Sequence, residues 1–442
     1  MNAPRMIAAA LLTALALSGA EGLTQDAKPS TEGAPPLGPN AVRVNLREAG
    51  AKGDGVTDDS AAIQAAITKA AENTVLYFPA GTYLLHSLEI SGKSGLEFAG
   101  DGHSSVLQWT GTGLPNGYTA MMTFTRVKNL LIHKIAFDNR NINNFGGLRF
   151  YEMKNVTIRN TRFFDSMRRE TITNDRYSYC FGQGGDPHEN ILFEDNLIQD
   201  LEVEIDHARR VRVRKNTFER GVWLCFNWSS HGPNTLLEDY EVVGNKFFEP
   251  AGYAMTFHSE FDAAHRVSGL RIADNKIYMD SYKRSAINVG IRKAKDDKAS
   301  VWEKITIENN HIEYTQGYTV DYVNCINVSR TPGHGPLKDV VIRNNTVIGN
   351  NSLATWAITA NCLRNSTITG NTITGVLHGI SVADELQGNT ISRNSVEATG
   401  VAYSFERSLG GNKVSGNVVA GNPKTPWVQT SVHPTDSIDV GK

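Results

Sequence analysis

One short pattern recurs ten times between residues 156 and 419: an apolar–x–apolar strand, then an asparagine, then another apolar residue. The copies are VTIRNTRF (Asn160), ILFEDNLI (Asn196), VRVRKNTF (Asn216), YEVVGNKF (Asn245), LRIADNKI (Asn275), ITIENNHI (Asn310), VVIRNNTV (Asn345), TITGNTI (Asn371), TISRNSV (Asn394) and NKVSGNVV (Asn417). The asparagines are spaced by 36, 20, 29, 30, 35, 35, 26, 23 and 23 residues. A short minimal repeat with variable insertions is what stacked coils with surface loops produce. Each coil supplies strands that pair with the next coil about 4.8 Å away. A turn asparagine at a fixed offset bonds up and down the stack. Six-residue periodicity, the mark of a left-handed hexapeptide helix, is absent, and no constant blade-length period suggests a propeller. The pattern predicts an all-β chain, a right-handed parallel β-helix of about a dozen rungs.

The chain has the material for such a core. It has 442 residues, 40% hydrophobic and 20% charged, which excludes disorder by composition. A net charge of −2 argues against nucleic acid as partner. Four scattered cysteines (Cys180, Cys225, Cys325, Cys362) have no metal-ligand spacing and are too few for a disulfide scaffold. No run is long enough to span a membrane.

The ends differ from the repeats. Arg5, the apolar run Met6–Leu17 and Ser18-Gly19-Ala20 compose a secretory signal cut after Ala20, which predicts a secreted or periplasmic protein. Residues 21–40, rich in Pro, Gly, Ser and Thr, read as a flexible linker. The solenoid is expected over 41–422, followed by a polar tail at 423–442. At 58–72 a helix is expected, capped by Asp58 or Asp59, with Ile63, Ala66, Ile67 and Ala70 on its apolar face. It would cover the open first coil, as a solenoid terminus requires.

GDGVTDDSAAIQAAI followed by YFPAGTYLL resembles the opening of the pectate-lyase-superfamily β-helix proteins, among them alginate C5-epimerases, polygalacturonase-related hydrolases and some phage tailspikes. The resemblance implies the right-handed β-helix. The residues Gly53, Asp54, Gly55, Asp58 and Asp59 within it read as turn and cap.

The chemistry is expected on the longer strand that precedes each Asn strand. Aligning the apolar pairs Leu148/Phe150, Tyr179/Phe181, Val203/Ile205, Leu224/Phe226, Met255/Phe257 and Ile287/Val289 sends the alternate residues outward. One outward row then reads Arg149, Cys180, Glu204, Cys225, Thr256, Asn288. The next reads Tyr151, Gly182, Asp206, Asn227, His258, Gly290, with Ser229, Glu260 and Arg292 one step further and Glu202 also outward. Three acids on one strand face repel one another unless neutralised. Asp206 and His258, two coils apart, would be separated by about 10 Å, room for one sugar ring. Trp223 and Trp228 flank the patch and suit either sugar stacking or the core. The basic run Arg209, Arg210, Arg212, Arg214 and Lys215 belongs to an Asn strand and reads as a solvated face, with contact to an anionic glycan as the alternative.

A second, local resemblance bears on the site. Asp186-Pro187-His188-Glu189 is similar to a motif of alginate C5-epimerases, in which an Asp also ends the next strand, as Asp206 does here. That resemblance implies catalytic positions at Asp186, His188 and Asp206. The family's Tyr three residues before the first Asp is Gln183 in this chain, so a phenol would have to come from Tyr151 or Tyr179.

These residue types suit C5-proton abstraction from a uronate. Arg149 and Arg292 can neutralise the sugar carboxylate, and His258, His188 or Tyr151 can take the proton. Asn227, Glu260 and Trp223 are expected to hold substrate. The reading is a secreted enzyme acting on an acidic polysaccharide as lyase or epimerase. The alternatives are a glycoside hydrolase using Glu204 and Asp206 as paired carboxyls and a non-catalytic glycan-binding surface. No metal ligand set is expected and no cofactor is required, calcium (Ca2+) being compatible with the acids.

Overall fold

The computed structural model describes residues 32–110, 120–140, 147–166, 177–182, 185–220, 224–226, 236–250, 252–259, 266–279, 285–291, 300–314, 324–352 and 356–440. Successive coils lay three strands each onto three parallel sheets. In one coil Leu148–Tyr151 joins the long-strand sheet, Lys154–Arg159 the asparagine sheet and Arg162–Phe164 the third sheet. All three strands pair in parallel with their counterparts before and after. The same order repeats through to the C-terminal coils, as a right-handed parallel β-helix. Period-2 alternation fills the interior. Phe78, Phe98, Phe124, Phe150 and Phe181 stack in a column at 4.3–6.3 Å between neighbouring rings.

The repeated asparagines form a buried ladder. Each side-chain oxygen accepts the backbone N–H and the side-chain N–H of the asparagine one coil earlier. Asn245 to Asn275, for example, spans 2.9 and 3.0 Å. Each amide also donates to a carbonyl of the preceding coil, as Asn275 does to Val242 at 2.9 Å. Asn196 through Asn417 share this environment. The first repeat departs from the expected register. Asn160 takes the left-handed turn position (φ 51°), and Thr161 occupies the ladder site, its backbone and hydroxyl donating to Asn196. The turn position is held elsewhere by Asp195, Lys215, Gly244 and Asp274, all at positive φ.

The N-terminal helix is Ser60–Lys69, with Ile63 and Ile67 buried. Asp59 holds the N-cap position, its carbonyl accepting the Ile63 N–H at 3.0 Å, and Asp58 just before it accepts the Ser60 N–H at 2.9 Å. The Asp59 side chain turns back to accept the N–H groups of Lys52 and Gly53. Asp54 accepts from Val56 and Thr57 in its own turn. The Gly-Asp-Gly-Val-Thr-Asp-Asp segment is therefore spent on turn and cap.

Two boundaries move. Thr425–Thr430 and Ser437–Ile438 pair with Val401–Gly410 and Lys413–Ser415, so the solenoid runs on through residues read as a polar tail. Their strands are short and interrupted by Pro and Asp, which hid them from a pattern search. At the other end, residues 32–37 of the expected linker lie along the asparagine sheet. Glu32 pairs with Arg214 at 2.6 Å, Gly33 N–H donates to Asn190 at 3.0 Å, and Thr157 donates to the Ala34 carbonyl at 2.8 Å. Gly33 sits at φ 66°, and a Cβ there would meet Leu192 Cβ at 2.8 Å and collide with Thr157. Gly33→Ala is expected to free this segment. Limited proteolysis ahead of residue 41 should accelerate several-fold, while the unfolding midpoint of the solenoid stays in place.

The basic run proves to be a ladder of ion pairs. Arg209 and Arg210 meet Glu189, Arg212 meets Asp239, and Arg214 meets Glu241 as well as Glu32. Arg209, Arg212 and Arg214 are thus paired with acids on neighbouring coils, while Arg210 and Lys215 remain exposed to solvent.

Candidate active site

The long-strand sheet brings the expected outward residues into register. Arg149 lies opposite Cys180, Cys180 opposite Glu204, Glu204 opposite Cys225, Cys225 opposite Thr256 and Thr256 opposite Asn288. In the neighbouring row Tyr151, Gly182 and Asp206 follow one another. The backbone of Gly182 donates to Phe150 and that of Asp206 to Phe181, each at 3.0 Å. His258 enters this row through its backbone pairing with Gly290; its side chain lies outside the described residues. So do Asn227, Glu260, Arg292, Trp223 and Trp228, and they are not placed.

The acids face away from the core, alternating with buried Val203 and Ile205, yet they are not solvated. Glu202, Glu204 and Asp206 are 4%, 8% and 1% exposed. Burial pushes the Glu204 carboxyl well above its ordinary range, and the Asp206 charge, the hydrogen bond to Asp206 and the Glu202 charge push it further. Glu204 is hydrogen-bonded to Asp206 and holds its proton more tightly than a solvated carboxyl does. The pair holds its proton as a unit. On its other side the Cys180 thiol donates to Glu204 Oε2 at 3.4 Å. Burial, followed by the Glu204 charge, also raises the Cys180 thiol well above its usual value, which makes it a donor and no nucleophile.

Arg149 and Tyr151 occupy the next coil. Arg149 Nη1 donates to Tyr151 Oη at 3.3 Å. A Cβ on Gly182 would approach the Tyr151 ring at 3.0 Å, so the missing side chain there is what lets the phenol lie along the row toward Asp206. Tyr179, the other phenol considered, is fully buried and hydrogen-bonded to Thr161 at 2.7 Å. Its phenol is raised by that burial, and it belongs to the core.

The Asp-Pro-His-Glu segment is divided between turn, ion pair and core. Asp186 is exposed on the turn. Glu189 pairs with Arg209 and Arg210. His188 is 1% exposed with its ring edge-on to Phe181. Its Nδ1 accepts the Met153 N–H at 3.1 Å, and its Nε2 donates to the Gly182 carbonyl at 3.0 Å. Burial lowers its pKa to about 4. Both ring nitrogens are thus engaged by backbone groups of the protein.

Three features escaped the sequence reading. His207 directly follows Asp206, accepts the Leu236 N–H at 3.2 Å, and feels the charges of Asp206 and Asp186. Cys180 stood in the outward row without a role. The amide row continues past Asn288. Asn327 donates to Asn288 at 2.8 Å and to Ser329 at 3.0 Å, and Asn288 donates to Thr256 at 2.9 Å. The adjacent Asp and the continuing row were the available signals. Among the described residues no group of three or more His, Cys, Asp or Glu is arranged to hold a metal ion, and no helix is long and apolar enough to cross a membrane.

Comparison with known proteins agrees with this architecture. Residues 43–222 match the family described as rhamnogalacturonase A/epimerase, pectate lyase-like. A probable glucan endo-1,3-beta-glucosidase of Arthroderma benhamiae is 50% identical over 44 residues, 10% of this chain and 5% of that protein. A glucan 1,3-beta-glucosidase of Cochliobolus carbonum is 58% identical over 41 residues. The chain thus spans about 5% of the length of the curated relatives it matches. The hyperthermoactive exopolygalacturonase of Thermotoga maritima superposes with a TM-score of 0.54 at 12% identity, covering 88% of this chain and 94% of that one. Tailspike protein 3 of bacteriophage CBA120 gives 0.56 at 14%, covering 89% and 60%. These two structures share the fold. The chain is a right-handed parallel β-helix protein whose residues 43–222 are similar to the pectate-lyase-like family.

Proposed function

We propose that this β-helix chain is a secreted enzyme that removes the C5 proton of a uronate-containing polysaccharide, as a lyase or an epimerase. The feature that carries the reading is the buried Glu204 carboxyl, its pKa raised, held against Asp206 two coils from Arg149 and Tyr151. A uronate carboxylate is a poor neighbour for C5–H loss until its charge is offset. The Arg149 guanidinium and the O–H of Glu204 together can offset it. Tyr151, whose oxygen accepts from Arg149 Nη1, then serves as the proton-transfer group at C5. In elimination the C5 electron pair forms the C4–C5 double bond, and the C4–O electrons leave with the glycosyl oxygen, which is protonated. In epimerisation a proton returns to C5 from the opposite face. The residue assigned to return it is His258, whose backbone strand lies two coils beyond that of Glu204. The apolar leader at Met6–Leu17 supports export.

One observation favours hydrolysis as a second reading. A carboxyl that holds its proton tightly beside a second carboxyl also suits protonation of a leaving oxygen. Glu204 and Asp206 touch, closer than the ~5–5.5 Å of retaining carboxyl pairs, so Glu202, about 6.5–7 Å along the strand, would be the partner.

Incubation with alginate, pectate, glycosaminoglycans and neutral glycans separates the readings. Ultraviolet absorbance from unsaturated ends supports the lyase, and solvent deuterium at C5 without shortening supports the epimerase. New reducing ends without absorbance overturn proton abstraction in favour of hydrolysis. Binding with no chemical change overturns both.

A further inference from the structure

We infer that His188 is a positioning residue, a clamp across three consecutive coils that aligns Tyr151, Gly182 and Asp206. The inference rests on the reading of that row as the reacting face. Its geometry is fully determined by which groups can donate. The Met153 N–H can only donate, so His188 Nδ1 must be the unprotonated nitrogen, and the distance is 3.1 Å. The Gly182 carbonyl can only accept, so Nε2 carries the hydrogen, at 3.0 Å. The backbone N–H of His188 donates in turn to the His207 carbonyl at 2.9 Å. Met153 lies two residues after Tyr151, Gly182 ends the strand Tyr177–Phe181, and His207 follows Asp206. One side chain and its own amide thus touch the backbone at the downstream end of three successive strands. Those are the ends that carry the three residues of the row.

The clamp is placed where the ladder cannot help. The buried asparagines brace the corner after the asparagine sheet. The corner after the long-strand sheet in these coils turns through positive-φ residues, Glu152 at 53° and His207 at 43°. An imidazole with two opposed polar atoms bridges that corner, and edge-on contact with Phe181 at 5.3 Å fixes its plane. Loosening it would let Tyr151 and Asp206 drift relative to one another. A misplacement of about 1 Å costs roughly 10²-fold in rate. The sequence motif that elsewhere suggests a base would here be retained for geometry.

The test compares His188→Gln, His188→Asn and His188→Ala in the full chain. An amide can hydrogen-bond but cannot abstract a proton. The expected result is partial rescue: at least one amide variant within about tenfold of wild-type kcat, alanine down roughly 100-fold, and KM little changed in either. The midpoints of the pH–rate profile stay in place and added imidazole restores nothing. Hydrogen exchange supplies a readout independent of turnover. The Met153 amide should lose protection in the alanine variant while the Asn245 amide keeps it. Amide variants as inactive as alanine, with wild-type unfolding midpoints, or rescue by imidazole, overturn the clamp in favour of a proton-transfer role. Unchanged Met153 protection in His188→Ala also overturns it. Lost Met153 protection with undiminished turnover leaves the clamp standing and overturns the reading of this row as the reacting face.

Discussion

Glu204→Gln should reduce turnover by roughly 10²–10⁴-fold while making the protein more stable, by about 0.5–2 kcal/mol near neutral pH. The two effects share one cause. Glu202, Glu204 and Asp206 are packed side by side out of water, an arrangement that costs stability and has value only if a proton held there is used. Because the folded-state pKa of Glu204 is raised, the folded chain keeps a proton that the unfolded chain releases above its ordinary value. The contribution of Glu204 to stability is therefore whole below that value and is lost as pH rises toward the folded-state pKa. Glu204→Gln should flatten this part of the pH–stability curve. Asp206→Asn tests the same pair from the other side. It removes the largest charge acting on Glu204, so it should cut turnover comparably and move the alkaline limb of the pH–rate profile downward. Denaturant melts across pH and kinetics on the active substrate are the measurements. Wild-type turnover in both variants would place the chemistry elsewhere on the solenoid.

Asn275→Ala should be among the most destabilising single changes in the chain. Asn275 Oδ1 accepts two bonds from Asn245, and its amide donates to Val242 and to Asn310, all between 2.9 and 3.0 Å. Alanine leaves both Asn245 donors without an acceptor inside a 0% exposed column. Each orphaned buried group costs about 1–3 kcal/mol, so a total of about 3–5 kcal/mol is expected. Asn275→Asp keeps the acceptor but removes the donors and buries a charge, and should cost at least as much near neutral pH. Nearest-neighbour coupling along a solenoid should confine the loss of hydrogen-exchange protection to the coils around residues 245, 275 and 310. Protection lost uniformly from end to end would contradict the ladder as a local brace.

The asparagine pattern by itself determined the β-helix, because only stacked coils use one polar turn residue at every repeat. Period-2 alternation likewise determined the outward row, and the pairs Arg149–Cys180–Glu204 and Thr256–Asn288 match it. The helix at Ser60–Lys69 followed from its apolar spacing. Those readings rest on local periodicity, which the chain carries in linear form.

Tertiary structure decided what periodicity does not encode. Outward does not mean exposed: Asp206 alternates with core residues and is 1% accessible all the same. Thr161 could replace Asn160 in the ladder because a hydroxyl and a backbone N–H reach the same Asn196 oxygen. The basic run depended on acids from coils 20–30 residues away, such as Glu189 and Glu241, and on Glu32 from ahead of the solenoid. His188 shows the limit most clearly. Its motif suggested a base, but whether an imidazole can move a proton depends on what its two nitrogens touch. Met153 reaches it only when the preceding coil stacks, and Gly182 only when the turn of its own coil closes.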